Sequence, residues 1–478
     1  MLRLRIPLLV GVVSALATLL INLNGCGGVS NNGTGSSPPP SQIQHVVVIV
    51  QENRTPDNLF HDPVLYNPPP AGHGADIAMT GVNSLNQTIT LTPMSLGVPY
   101  DLGHAHVSFL KGWNNGQMNG FDTDGAYCPE GQPNCSPPAN AQYQYVQASD
   151  VQPYFTLAET YTFGDRMFQT NQGPSFAAHL FLISGTSAIS PTSVIYAAEV
   201  PVAGGGTSGC VAPPQTYVQL IDTTNMNPAT NETQSAYPCF DHAALTDLLD
   251  GQNIDWKYYT PSVGTLWTGP TSIQHICGPN NPPPNGTACV SPDFTNHVVI
   301  PETNVLSDIA SGNLAPVSWV IPKGQNSDHP AYGANNGGPS WVASIVNAIG
   351  NSPYWANTAI IITWDDWGGW FDHVPPEQIY NSYEYGFRVP LIVVSPYAKP
   401  AYVSHVNHDF GSILKFIETV FNLPTIDPAV GYADSRADDL SDCFDFNQTP
   451  LPFQQVPAPL DATYFLNDKS PPLPPDND

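Results

Sequence analysis

Basic residues are scarce. The 478-residue chain has 12 Lys plus Arg against 39 Asp plus Glu, a formal net charge of −27. Nucleic acid is excluded as a partner, because no cationic footprint exists to neutralise its phosphates. The same imbalance repels anionic substrates unless a bound cation reverses the local field. Long hydrophobic runs are also missing: the one candidate, Leu8–Ile21, is short for a membrane span. Among eight cysteines no Cys-x-x-Cys spacing supports a structural zinc. No internal repeat is visible, so the chain does not read as an array.

The first feature present is an export signal. Arg3 and Arg5 precede Leu8–Ile21, and Leu23-Asn24-Gly25-Cys26 follows. Residues 1–25 read as a signal peptide. Leu-x-Gly-Cys resembles a bacterial lipobox, which implies cleavage before Cys26 and lipidation of its thiol. The protein would then sit on a membrane, facing the periplasm or cell exterior, or be secreted if the box is not used. Residues 26–44, rich in Gly, Ser and Pro, form a flexible tether. Export suits disulfides. Close spacing suggests Cys128–Cys135 and Cys277–Cys289 and, on weaker spacing, Cys210–Cys239, leaving Cys443 as an odd, buried thiol. Few basic residues and 51 prolines suit an exported protein in an acidic medium.

Short β-branched runs predict strands at 45–50, 254–259, 317–321, 359–364 and 389–394. They alternate with helical stretches at 153–185, 240–250, 340–350 and 409–421. The stretches 60–150, 185–240 and 260–300 read as loop-rich or irregular. This order indicates an α/β sandwich with both sheet faces covered. A single catalytic domain is expected over 45–447, because no linker separates its acidic clusters. The proline-rich tail 448–478 reads as a surface wrap or a disordered end.

Two acidic clusters stand where apolar runs stop. His45–Val50 leads into Gln51-Glu52-Asn53-Arg54, and Ala359–Trp364 leads into Asp365-Asp366-Trp367-Gly368-Gly369. Ligands of open α/β sheets bind beyond the carboxyl ends of strands. Three carboxylates and an amide at two such ends form an all-oxygen site for a hard cation. Each cluster alone could merely end a strand and cap a helix. Gly173-Pro174-Ser175 places a serine where a loop enters an apolar helix, a position that favours an anion. Ser175 reads either as a helix cap or as a nucleophile activated beside a metal. His104, His106, His329 and His373 lie in short polar motifs, and histidine can protonate a leaving oxygen or hydrogen-bond phosphate.

From about His45 to Phe446 the chain resembles the bacterial phosphoesterases that include phospholipase C and the respiratory-burst-inhibiting acid phosphatases. The likeness rests on Gln51-Glu52-Asn53-Arg54-Thr55-Pro56-Asp57, Asp101-x-x-His104, Gly173-Pro174-Ser175 and Asp328-His329-Pro330. It continues through Thr363-Trp364-Asp365-Asp366-Trp367-Gly368-Gly369-Trp370-Phe371-Asp372-His373, Gly386–Pro390 and His408–Glu418. The resemblance implies an alkaline-phosphatase-like three-layer sandwich with a largely parallel sheet and irregular, disulfide-bearing inserts. It also implies one divalent metal, Ca²⁺, Mg²⁺, Mn²⁺ or Zn²⁺, held by Glu52, Asn53, Asp365 and Asp366. Ser175 is the implied nucleophile. His104 and His329 match family histidines at the phosphate, and His373 sits on the motif with a less defined part in binding. Members often carry Pro-Asn-Arg or Pro-Asn-His after the nucleophile, where this chain has Ala177-Ala178-His179.

The expected mechanism is in-line attack by Ser175, protonation of the leaving oxygen by His329, and hydrolysis of the phosphoserine. An acid-phosphatase-like activity is expected from the absence of additional C-terminal β domains after Phe446, with phospholipase C as the alternative. From another class, an inactive surface lipoprotein that binds phosphorylated ligands would carry the same motifs. The sequence sets no oligomeric state.

Overall fold

The computed structural model describes residues 42–68, 72–129, 135–203, 206–333, 336–376 and 380–473. The expected signal peptide, Cys26 and most of the tether lie outside the described residues. None of the described helices is long and apolar enough to cross a membrane.

Nine strands form the central sheet: β1 (His45–Gln51), β2 (Thr162–Phe168), β3 (Trp256–Tyr259), β4 (Val298–Val299), β5 (Val317–Val320), β6 (Thr358–Trp364), β7 (Arg388–Val394), β8 (Tyr402–Ser404) and β9 (His408–Asp409). Their order is β4-β3-β5-β1-β6-β7-β2-β8, and β9 also pairs with β2. Only β7 runs against its neighbours β6 and β2; every other pairing is parallel. All seven residues of β6 and of β7 are buried, as a sheet covered on both faces requires.

The longer helices are α1 (His106–Trp113), α2 (Ala148–Thr160), α3 (Ser175–Ser184), α4 (Leu245–Gly251), α5 (Asn304–Ser311), α6 (Gly337–Gly350), α7 (Phe410–Phe421) and α8 (Ala462–Asn467). They pack in two groups: α6 against α2, α5 and α8, and α3 against α4 and α7. The result is a three-layer α/β sandwich with a largely parallel sheet.

Several segments depart from the sequence expectation: β2, β4, β8 and β9 lie where no strand is expected. The single helical stretch expected over 153–185 is α2, β2 and then α3. Gly164, Asp165 and Arg166 disguise β2, since glycine and charges are poor strand formers. In the sheet these residues are required: a Cβ on Gly164 would lie 2.8 Å from Leu391 Cδ2. Asp165 is buried and accepts the Asp76 N–H at 2.7 Å. The 185–240 insert contains a three-stranded sheet (Ile195–Ala197, Val218–Asp222, Gln234–Ala236). Within the tail, Phe465 of α8 is fully buried with its ring 5.2 Å from that of Trp341 on α6. All three suggested disulfides are present, and Cys443 is free and buried.

Candidate active site

β1 and β6 are neighbouring parallel strands in register, with Gln51 opposite Trp364. They therefore end level, and Glu52 and Asp365 leave the sheet side by side. The Asp365 N–H donates to Gln51 O (3.0 Å) and the Arg54 N–H to Asp366 O (2.9 Å), which holds the two loops together. Asn53 takes φ 62°, a left-handed conformation that asparagine tolerates better than most residues. Gly368 at φ 61° is required for a second reason: a Cβ there would stand 2.5 Å from Asn53 O. Asp365 Oδ1 then accepts two backbone N–H groups, from Asn53 (3.1 Å) and Asp366 (2.8 Å).

Ser175 is the first residue of α3, and Pro174 occupies the cap position without a side-chain hydrogen bond to the helix. The Ser175 hydroxyl instead donates to Asp366 Oδ2 at 3.0 Å. Asp366 Oδ1 accepts the Gly368 N–H at 2.7 Å. Gly173 brings the loop in tightly, since a Cβ there would fall 2.2 Å from Tyr383 Oη. One turn after Ser175, His179 Nε2 lies 3.3 Å from Glu52 Oε1 and 3.7 Å from Asp365 Oδ2.

Three buried carboxylates thus converge, and no Lys or Arg among the described residues pairs with them. Burial, followed by the charge of Asp365, pushes Glu52 well above the usual carboxylate range. The same two causes push Asp366 up to about 7. Burial holds His179 down to about 4, so its ring is neutral. Glu52 Oε2, Asn53 Oδ1 and Asp365 Oδ2 are buried without hydrogen-bond partners. Such atoms are costly unless something satisfies them. Glu52, His179 and Asp365 present donor atoms within 4.8 Å of one another, a set that fits one divalent cation. Asp366, expected among the ligands, has both oxygens engaged, one of them by Ser175.

His104 Nδ1 lies 2.8 Å from Leu102 O, so that nitrogen carries the proton and Nε2 accepts from Asn53 Nδ2 at 3.1 Å. This fixes the Asn53 amide with its oxygen turned away from His104. His329 Nδ1 lies 2.7 Å from Pro330 O, and the His104 and His329 rings are 6.1 Å apart. His373 is held elsewhere: its Nδ1 pairs with Asp57 (2.7 Å) and its Nε2 with Asp76 (3.0 Å), beside Arg388 and Asp372. Burial opposes its charge, yet hydrogen bonds donated to Asp57 and Asp76 lift it to about 10. His106 is drawn to Glu232 and Gln172. It lines an open cavity of about 400 Å³ with Val107, Leu110, Lys111, Pro228 and Glu232.

The residues missed from sequence are His179, Asp328 and Arg54. His179 stood in the motif as a departure, although its i+4 spacing from Ser175 puts both on one helix face. Asp328 accepts Tyr154 Oη (2.8 Å) and Trp364 Nε1 (2.9 Å), bracing the end of β6. Arg54 is buried over Trp370 and donates from Nε to Asp328 O at 2.9 Å.

A family model described as the phosphoesterase family matches residues 43–424. The chain is 24% identical over 459 residues to phospholipase C A of Mycobacterium tuberculosis, covering 87% of this chain and 80% of that protein. It is likewise 24% identical over 474 residues to the non-hemolytic phospholipase C of Burkholderia pseudomallei, covering 87% of this chain and 61% of that protein. Among solved structures, a protein in the alkaline phosphatase superfamily from Vibrio parahaemolyticus aligns with TM-score 0.37 and 11% identity, over 85% of this chain and 72% of that one.

Proposed function

The chain belongs to the phosphoesterase family and is a hydrolase of phosphoric esters, and on that premise we propose that it cleaves them through Ser175 in a metal-dependent reaction. The observation that carries the reading is the 3.0 Å hydrogen bond from Ser175 Oγ to Asp366 Oδ2, beside three partnerless buried oxygens. Glu52, Asn53, Asp365 and His179 would hold one divalent cation, Ca²⁺, Mg²⁺, Mn²⁺ or Zn²⁺. When bound, it would supply positive charge opposite the phosphoryl oxygens, which is most of what phosphoryl transfer requires.

Asp366 takes the Ser175 proton as Oγ attacks phosphorus in line. The free N–H groups at the start of α3 face the phosphoryl group. His104 orients Asn53 and stands at the phosphate, and His329 protonates the leaving oxygen. Water then cleaves the phosphoserine.

The substrate reading moves from the expected acid-phosphatase-like activity toward phospholipase C. Both relatives named above are phospholipases C, and the first is matched over 80% of its length by this chain. The phosphatase reading keeps one support: Ser175 is only 1% exposed, which suits a small monoester. Turnover of p-nitrophenyl phosphate against p-nitrophenyl phosphorylcholine, with and without chelator, separates the two. Loss of neither activity on chelation rejects the metal, and absence of both supports a phospho-ligand-binding lipoprotein.

Export is part of the same proposal, supported by three disulfides. Lipid attachment at Cys26 would make it membrane-bound. Cys26→Ser should then move the protein into the soluble fraction, and soluble wild-type protein would reject the anchor.

A further inference from the structure

We propose that His408, Asp442 and Cys443 form a second metal site, for zinc, that fastens the edge of the sheet to the segment after it. The three side chains are buried. Their donor atoms converge: His408 Nε2 lies 3.3 Å from Asp442 Oδ1 and 4.0 Å from Cys443 Sγ, and Sγ lies 3.6 Å from Asp442 Oδ1. Tetrahedral zinc with bonds of about 2.0–2.3 Å places its ligand atoms about 3.3 Å apart for a nitrogen–oxygen pair and about 3.5 Å apart for pairs with sulfur. Binding would contract the sulfur pair by a few tenths of an ångström and open the hydrogen bond between Ser404 Oγ and His408 Nε2.

The surroundings are those of a metal-binding histidine. His408 Nδ1 lies 2.9 Å from both Asp438 oxygens, which fixes the ring and turns Nε2 toward Asp442 and Cys443. Ser404 Oγ lies 3.1 Å from the same Nε2 and donates to Asp442 Oδ2, so the hydroxyl stands at the cluster as the candidate fourth ligand, with a water as the alternative. No Lys or Arg among the described residues pairs with Asp438 or Asp442. A thiolate, an imidazole and a carboxylate together favour zinc over calcium or magnesium. Sequence spacing hides the site, because the ligands come from two segments separated by 33 residues or more rather than from a Cys-x-x-Cys pair.

The position gives the metal a structural purpose. Ser404 ends β8, and His408 opens β9 and runs into α7, which packs on the helix carrying Ser175. Cys443 O also accepts the Thr162 hydroxyl of β2 at 3.0 Å. A metal here would lock β8, β9 and residues 441–443 to β2.

The test uses the full chain in a Cys26→Ser background, so that Cys443 is the only thiol outside the disulfides. Zinc per chain is measured by mass spectrometry after dialysis, for the parent, Cys443→Ser and Asp365→Ala. The site predicts that Cys443→Ser loses one equivalent of zinc and keeps phosphoesterase turnover. Asp365→Ala should keep that equivalent and lose turnover, so the outcome does not depend on the proposed catalytic metal. Cobalt(II)-loaded parent should show a thiolate-to-cobalt charge-transfer band, which decides the matter even if Cys443→Ser misfolds. Equal zinc in parent and Cys443→Ser, or a parent without that band, would reduce the cluster to a hydrogen-bonded network and overturn the proposal.

Discussion

Ser175 and His179 lie one helical turn apart on α3, and both face the same buried acidic group. The serine hydroxyl meets Asp366 at 3.0 Å, and the histidine Nε2 meets Glu52 at 3.3 Å. One rigid helix therefore positions both the proposed nucleophile and a proposed ligand, so any shift of α3 moves them together.

His179→Ala should lower metal affinity by more than about tenfold, the lesser figure being typical for loss of an outer partner alone. Turnover at limiting metal should fall with it and recover in part when metal is added. Glu52→Ala and Asp365→Ala should lose metal and activity together without such recovery, because a charged ligand is gone. Metal titrations of the three variants test the order. A His179→Ala protein that binds metal as the parent does would remove the histidine from the site.

Gly368→Ala should be damaging out of proportion to its size. The added methyl would sit 2.5 Å from Asn53 O at a backbone φ of 61°. The Asp366 loop or the Asn53 turn must give way, and both carry proposed site residues. The expected result is a drop in turnover of at least about a hundredfold with much of the fold retained, by the general cost of misplacing a reacting group by about 1 Å. Circular dichroism with kinetics checks it; near-parental turnover would show that the two loops are not rigidly coupled.

Much of this site was legible because the chemistry concentrates in short motifs at strand ends. The β-branched runs of β1 and β6 announce buried neighbouring strands, and their acidic ends follow. β2 was not legible, because Gly164, Asp165 and Arg166 meet partners such as Leu391, Asp76 and His405, which are remote in sequence. His179 was hidden for the same kind of reason. Its i+4 spacing puts it on the face of Ser175, but nothing local reveals that this face meets Glu52, 127 residues earlier. His373, conversely, reads as a substrate-binding residue by its place in the motif, whereas Asp57 and Asp76 face both of its ring nitrogens.

Stability should fall as pH rises from about 5 to 8. Burial, then the neighbouring Glu232, lifts Glu199 to about 8; burial, then a hydrogen bond shared with Asp434, lifts Glu418 to about 8. Both start from 4.5, so at these two groups the folded chain holds more protons than the unfolded one across this window. Its stability from these groups is complete below about pH 4.5 and is lost as pH passes 8. Glu418→Gln should flatten the dependence. Melting temperatures in chelator at pH 5 and 8 test the sign, and an equal or higher value at pH 8 would contradict it.

The covalent step is open to the most direct test. α3 draws no cap from the Ser175 side chain, so Ser175→Ala costs no capping bond. What it removes is one buried hydrogen bond, leaving Asp366 Oδ2 unsatisfied, a loss of about 1–3 kcal/mol. Folding and metal content should therefore stay near normal. Turnover should fall by on the order of 10³-fold or more if the hydroxyl is the nucleophile. Enzyme quenched during turnover should carry a phosphate on the peptide containing Ser175, and Ser175→Ala should carry none. Asp366→Asn should slow formation of that phosphopeptide while keeping the metal. If Ser175→Ala keeps most of its activity and no phosphopeptide forms, water attacks phosphorus directly, and Ser175 serves only to position Asp366.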